Sequence, residues 1–357
     1  MSCRDYQRLL DRGWRRSGCH FYKPNLKQSC CPQYTIRLNC IQFKINKAQR
    51  KVITKFHQFF NINGEANKDK KSIQKLIQPA LESEFELKRS EYSLESFELF
   101  EKYQKSIHQE DSEPEGFKRF LVDSPLTIEE DSIYGSYHYK YYYKDQLIAL
   151  EVIDILPNCL SSVYFIYDPE YKHLSLGKYS ALHSICLTSN YVEDHLNLKY
   201  YYMGYYIHSC IKMKYKAEFK PSELLDPVKF DWVDFEVAKK ILDNSSNLNF
   251  NGYSTLIKNN DTIGDKEEIN NTNVIEDNNK GENSENSDNT NKDDEFPGLI
   301  EVLEDQINNS ILSVDDNLYY YKDIKAYFNP ILFDIVKETL QAIGDQEIIT
   351  KCILVIK

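Results

Sequence analysis

Between Tyr137 and Lys216 the chain gathers side chains able to move protons and hold charge. Tyr164, Tyr206, His208 and Ser209 fall at the ends of strand-like runs, where a hydroxyl or imidazole can pass a proton to or from a reacting group. Tyr164, His208 and Ser209 are therefore the catalytic candidates, although a histidine on a strand is as readily a structural group. Asp154 and Asp168 close successive apolar-aromatic runs with Glu151 behind them, and carboxylates so placed suit a bound cation. An Asp before Pro169 also commonly caps a turn. Lys140, Lys212 and Lys214 are candidates to hold an anion, each with an alternative as ordinary surface lysine. Cys210 has no base at recognisable spacing and is not read as a nucleophile.

The elements that must position these groups are legible as hydrophobic alternation. Tyr137 to Tyr143 and Gln146 to Leu156 read as strands joined at Lys144-Asp145, a tight hairpin, and Pro157-Asn158 turns the chain into a third strand, Ser161 to Tyr167. Gly177 to Leu187 then carries apolar residues at helical spacing, and Lys199 to His208 returns as an aromatic strand. The order β-β-β-α-β predicts an α+β fold: an acetyltransferase-like (GNAT-type) sheet, mixed but mostly antiparallel, with packed helices, in which two strands splay to admit an acyl donor. Coenzyme A is disfavoured, because the turn before the helix offers one glycine, Gly177, where a pyrophosphate cradle needs several small residues.

Composition bounds the rest. The chain has 357 residues, a formal net charge of -11 and 13% aromatic content, with 27 Tyr and 18 Phe against 2 Trp and 3 Met. That profile suits sheet surfaces and is enough for one or two cores. No apolar run is long enough for a bilayer span, so a membrane role is not expected. The nine cysteines are odd in number and unlike a secreted disulfide framework, which leaves reduced thiols or a metal site. Residues 1–55 carry thirteen Lys/Arg against two acids, interleaved with Trp14, Phe21, Tyr22 and Tyr34. Such a stretch can contact a nucleic-acid backbone and stack unpaired bases, or be a solvated basic face. Lys212, Lys214, Lys216 and Lys220 form a second basic run. By contrast, residues 258–295 hold twelve acids and four lysines amid Asn, Ser and Thr, a composition expected to be disordered. The expected organisation is a basic N-terminal domain with paired cysteines (1–55), a helical connection (56–115), the acyltransferase-like domain (116–243), a disordered insertion (244–295), and a helix and strand completing the catalytic domain (296–357).

Particular wording carries a resemblance: Gly135 to His138, Val152 to Asn158, Ser161 to Pro169, Ser175 to Leu182 and Tyr200 to Cys210, together with Asp11 to Gly18 and Cys30 to Arg37. These stretches resemble the arginyl-tRNA:protein arginyltransferases, over roughly residues 4–50 and 116–235. The resemblance implies transfer of arginine from its tRNA to an N-terminal Asp, Glu or oxidised Cys, marking the acceptor for ubiquitin-dependent degradation. Its partners would be arginyl-tRNA and proteins with acidic N-termini, without DNA or membrane, in the cytoplasm and also the nucleus. On this view Asp154 or Asp168 reads the donor's guanidinium and Lys140, Lys212 and Lys214 read the acceptor's acid. Arg12, Arg15, Arg16, Lys23 and Lys27 hold the tRNA. The transfer needs no cofactor, since an aminoacyl ester is already activated and its attacker is an amine. The family also has a Cys-x-x-Cys upstream of the Arg-Gly-Trp segment that, with paired cysteines, holds a metal or iron-sulfur cluster; this chain is expected to begin too late to contain it. Cys30 and Cys31 remain as zinc or cluster ligands, with Cys3, Cys19, His20 and Cys40 as substitute partners, or all are inert buried thiols. A catalytically impaired paralogue that binds tRNA or acidic N-termini is the alternative, and a coenzyme A-dependent acetyltransferase a third reading.

Overall fold

The computed structural model describes residues 1–26, 29–62, 73–74, 76–77, 85–244, 311–314, 317–320, 331–343 and 353–355. The expected disordered insertion lies outside them, apart from its first residue. Two compact units are present, residues 1–248 and 249–357.

The first unit opens with helix α1 (Cys3–Leu10), whose N-cap Ser2 accepts a hydrogen bond from the Asp5 amide. A short hairpin follows, β1 (Arg15–Ser17) and β2 (His20–Tyr22), then β3 (Gln33–Asn39) and helix α2 (Lys47–Phe60). Asn46 and Gln49 close α2 with a reciprocal capping box, and Asn61 ends it in the left-handed region at φ 52°. Strand β4 (Phe85–Arg89) and helices α3 (Leu94–Tyr103) and α4 (Pro114–Phe117) lead to the hairpin β5 (Gly135–Tyr143) and β6 (Gln146–Ile155). Lys144 and Asp145 both adopt positive φ, 49° and 61°, as a two-residue hairpin turn demands. After β7 (Cys159–Tyr167) come helix α5 (Leu176–Tyr191), β8 (Tyr200–Ile207), the short α6 (Ile211–Lys214), β9 (Ser222–Leu225), β10 (Trp232–Asp234) and α7 (Phe235–Asn244).

Eight of these strands form one sheet in the order β10-β9-β3-β8-β7-β6-β5-β4. Every neighbouring pair is antiparallel except β7 and β8, which run parallel because α5 crosses over between them. Along β6 only Gln146 is exposed, as befits a central strand covered on both faces. One face packs Leu150 and Val152 under Phe97, Phe100 and Phe117. On the other, Tyr179 of α5 stacks on Phe56 of α2 with ring centroids 3.6 Å apart.

Three features differ from the sequence reading. Residues 1–55 are not a separate basic module, since β3 is hydrogen-bonded between β8 and β9. Phe85 to Arg89, inside the expected helical connection, is an edge strand paired with β5. There the alternation Phe85, Leu87, Arg89 is of period two, and the helical spacing was fortuitous over so short a run. In the second unit, β11 (Ile311–Val314) pairs antiparallel with β12 (Asn317–Tyr320) and parallel with β13 (Ile353–Val355), and α8 (Ile331–Ile343) supplies the expected C-terminal helix. The closing strand is thus hydrogen-bonded in this three-stranded sheet.

Candidate functional site

Strands β7 and β8 are paired at only three positions, the last being Ser161 with Tyr202. Beyond that pair both strands carry a register fault. On β7, Val163 is the extra residue where Val152 faces Tyr164 while Ile153 faces Ser162. On β8, Met203 and Gly204 stand opposite the single residue Ile36 of β3. Gly204 lies at φ 70°, a conformation that glycine reaches without the Cβ penalty. Bulges bend and twist the strand that bears them, so two bulges immediately past the last shared pair make the strands diverge. The result is a cleft of about 380 Å³ between Ser162 and Tyr164 on one side and Met203 and Tyr205 on the other. The first turn of α5 reaches it through Gly177 and Ser180. Ser175, the residue before that turn, gives α5 no side-chain cap.

Among the described residues the lining contains Arg15, Arg16 and Lys216 and no Asp or Glu. Lys216 donates to the Tyr205 carbonyl at 2.7 Å, and burial, followed by the neighbouring Arg15, pushes its pKa down to about 8. Arg15 is 5% exposed and lies over the Tyr205 ring at 5.1 Å. Its hydrogen bonds go to carbonyls, Trp14 at 2.7 Å, Leu10 at 3.4 Å and Gly204 at 3.5 Å. Its Nε is buried with no hydrogen-bond partner among the described residues.

Behind the wall lies Glu151, fully buried on the α5 face of β6. Ser162 donates to its Oε1 at 3.1 Å and Ser184 to its Oε2 at 3.1 Å, with Tyr141 at 3.4 Å. Burial raises its pKa to about 7, and these hydroxyls, Ser180 among them, limit the rise. Since Ser162 also lines the cleft, one hydroxyl links the cleft to a carboxyl that titrates near neutrality.

The structure brings few of the sequence candidates to this cleft. Tyr164 lines it. His208 and Ser209 do not; Ser209 is exposed, and His208 is held between the Tyr206 hydroxyl at 2.9 Å and Asp243 at 3.0 Å. Asp154 and Arg16, expected to hold different substrates, hold each other. Arg16 Nε and Nη2 each reach an Asp154 oxygen at 2.7 Å, with both side chains at most 1% exposed. Ser136 completes that pocket by donating to Asp154 at 2.6 Å. Asp168 also has a structural role: it caps the following turn at the Glu170 amide, 3.0 Å away, and pairs with Lys102 at 2.8 Å. Lys140 is buried against Glu95 at 2.8 Å. Lys212 and Lys214 are exposed on α6. Of the basic residues expected on tRNA, Arg12 and Lys23 are half-buried and both lie over the Phe230 ring, at 5.6 and 4.7 Å. Burial, then Arg12, lowers the Lys23 pKa to about 8. Lys27 lies outside the described residues.

The cysteines fall into two groups. Cys3 and Cys40 are buried, whereas Cys19, Cys30 and Cys31 are exposed, which excludes the buried-thiol reading for these three. The Cys30 and Cys31 sulfurs are 3.4 Å apart, but among the described residues no group of three or more His, Cys, Asp or Glu could hold a metal ion. Two adjacent thiols do not by themselves complete a tetrahedral site.

Comparison with known proteins follows the same residues. Residues 1–51 match the family described as "Arginine-tRNA-protein transferase, N terminus" and residues 95–226 match "Arginine-tRNA-protein transferase, C terminus". Arginyl-tRNA–protein transferase 2 of Arabidopsis thaliana is 47% identical over 49% of this chain and 31% of its own length. Arginyl-tRNA–protein transferase 1 of Saccharomyces cerevisiae is 37% identical over 63% of this chain and 50% of its own. An aspartate/glutamate leucyltransferase of Campylobacter jejuni is 30% identical over 62% of this chain and 80% of its own. The chain thus spans under a third of the Arabidopsis relative and half of the yeast one. Among the described residues no helix is long and apolar enough to cross a membrane. With both family regions matched and the leucyltransferase covered across most of its length, this chain belongs to the arginine-tRNA–protein transferase family.

Proposed function

We propose that this chain transfers arginine from arginyl-tRNA to the N-terminal Asp or Glu of proteins, in the cytoplasm, so that the acceptor enters ubiquitin-dependent degradation. The frame is acetyltransferase-like, and the observation that carries the reading is the opening between parallel strands β7 and β8. A splayed strand pair exposes backbone groups to an acyl donor and holds it in one orientation against a nucleophile. The uncapped first turn of α5, at Gly177, presents amide N–H groups on which oxyanion charge can settle as the ester carbonyl is attacked.

The acceptor's α-amine has an ordinary pKa of about 7.7 to 8.0, so near neutrality it arrives mostly as ammonium. Ser162 is placed to accept one of its protons while passing its own to Glu151, whose pKa near 7 matches the task. The freed amine forms the peptide bond, the ester C–O bond breaks, and the departing ribose oxygen takes up a proton. No cofactor enters this sequence. Among the described residues the cleft lining offers no carboxylate to the donor's guanidinium, and Asp154 and Asp168 are committed elsewhere, so neither is assigned that role. No observation favours the impaired, binding-only alternative.

The test is incubation with labelled arginyl-tRNA and peptides beginning with Asp, Glu, Gln or Ala. Transfer to Asp and Glu peptides supports the reading; absence of transfer to all four overturns it.

A further inference from the structure

We propose that Tyr201 is the catalytic residue that gives a proton to the departing ribose oxygen, as one member of a ring with Ser162, Glu151 and Ser184. This rests on the transfer reading above, which leaves the donor of that proton unnamed. Tyr201 faces Leu160 across the parallel pair β7 and β8, so it shares a sheet face with Ser162, two residues along β7. It is 3% exposed and lines the cleft. The two serines that hold the Glu151 carboxyl, Ser162 at Oε1 and Ser184 at Oε2, each at 3.1 Å, are also hydrogen-bonded to the Tyr201 hydroxyl. Of these four groups Ser162 and Tyr201 line the cleft, whereas Glu151 and Ser184 are buried behind its wall. A hydrogen-bonded ring that meets one reaction space at two points can take up a proton at one and return it at the other.

The acceptor's ammonium gives a proton to Ser162, whose own passes to Glu151. The freed amine's lone pair then forms the C–N bond at the ester carbonyl. As the tetrahedral adduct collapses, the C–O bond breaks with its electron pair on the ribose oxygen, which takes the Tyr201 proton. Tyr201 regains one from Ser162, and Ser162 from Glu151. The second proton on the new amide nitrogen leaves to water, so the ring ends as it began and the reaction releases one proton. Ser184 holds the phenol and the carboxyl together throughout and is a positioning residue.

A phenol suits this task because it keeps its proton until the leaving oxygen becomes strongly basic. Burial, followed by the charges of Glu151 and Tyr215, holds Tyr201 well above a phenol's ordinary range. Neighbouring phenols are engaged elsewhere. Tyr205 donates to the Gly13 carbonyl at 3.1 Å, and Tyr164 faces Val152 and packs on the core beneath Phe117. Tyr215 feels the Glu151 charge but, among the described residues, is hydrogen-bonded to neither serine.

The experiment follows single-turnover arginine transfer to an Asp peptide in the full chain, Tyr201→Phe, Tyr215→Phe and Ser184→Ala. Two forms of arginyl-tRNA serve as donor, one whose terminal adenosine lacks the hydroxyl beside the ester and one carrying fluorine in its place. The first removes the tRNA's own hydroxyl as a source of the proton, and in the second the leaving oxygen is a weaker base that departs with less help. Tyr201→Phe should slow the first donor roughly tenfold or more and the fluorinated donor no more than about threefold, with the Kd for both within about twofold. Tyr215→Phe should leave the ratio between the donors as in the full chain. Equal slowing of both donors in a Tyr201→Phe chain that is folded by circular dichroism overturns the proposal, since a structural hydroxyl would act on both alike. So does a Tyr201→Phe chain as fast as the full one, or a donor contrast that appears in Tyr215→Phe instead. Should the phenylalanine variant not fold, Ser184→Ala carries the comparison: its loss must also be larger with the first donor, and an equal loss or none overturns the proposal. An unmodified chain that transfers arginine from native arginyl-tRNA to no peptide overturns the activity itself, a distinct result.

Discussion

Arg15 and Arg16 are adjacent in the chain and both are buried, yet they live in opposite electrostatic surroundings. Arg16, though it borders the cleft, is held by Asp154 and Ser136. Arg15 meets carbonyl oxygens and aromatic faces, with Lys216 nearby and no ion-pair partner among the described residues. Burial alone therefore does not fix how an arginine's charge is met; the presence or absence of a partner carboxylate does. A sealed pair contributes specificity of packing, and breaking it leaves a stranded charge.

The comparison breaks first at Asp154. Asp154→Asn should strand the Arg16 guanidinium and cost about 3–5 kcal/mol of stability, seen as a lower midpoint in urea, while activity per folded molecule is kept. A stable, inactive Asp154→Asn would return this acid to the site. Next comes Glu151→Gln, which removes the proton acceptor behind Ser162. We expect kcat to fall roughly a hundredfold, and the rise of kcat through pH 7 to disappear. The sign for stability is opposite to that of an ordinary paired carboxylate. Folding raises this pKa from 4.5 to about 7, so the contribution is complete below pH 4.5 and is lost as pH rises through 7. Chemical denaturation of the glutamine variant across that window should lack a fall on the order of 3 kcal/mol.

Smaller effects sharpen the boundary. Asp168→Ala removes a turn cap and the Lys102 pair, and should cost about 1 kcal/mol, read as a lower urea midpoint, without changing activity per folded molecule. Lys212→Ala with Lys214→Ala, on exposed positions of α6, should shift the melting transition by less than about 0.5 kcal/mol equivalent. A larger shift would show that one of these two lysines makes a contact that stabilises the fold.

The strand order through Tyr137–His208 was legible because each strand alternates or is wholly apolar and each turn has its own chemistry, Lys144-Asp145 and Pro157-Asn158 among them. The edge strand at Phe85 was not, since five residues satisfy either period. Site residues were harder still, because partner choice is a property of distant contacts. Nothing in the local text of Arg15-Arg16 says that residue 154, more than a hundred positions on, will neutralise one and not the other. Lys216 stood in a basic run with no feature to separate it from Lys212 and Lys214. One signal was available and unread: an isolated glycine within the aromatic strand Tyr200 to His208 marks a bulge, and Gly204 is that bulge.

The opening between β7 and β8 is cut by main-chain register, through Val163 on one strand and Met203-Gly204 on the other. Its existence is thus largely independent of which side chains line it. A substitution among the lining residues therefore changes the chemistry of the cleft while leaving the opening itself in place. Gly204 is the point of least freedom in that arrangement: any L side chain there must adopt φ near 70°, so a substitution at this one position strains the bulge that the opening depends on.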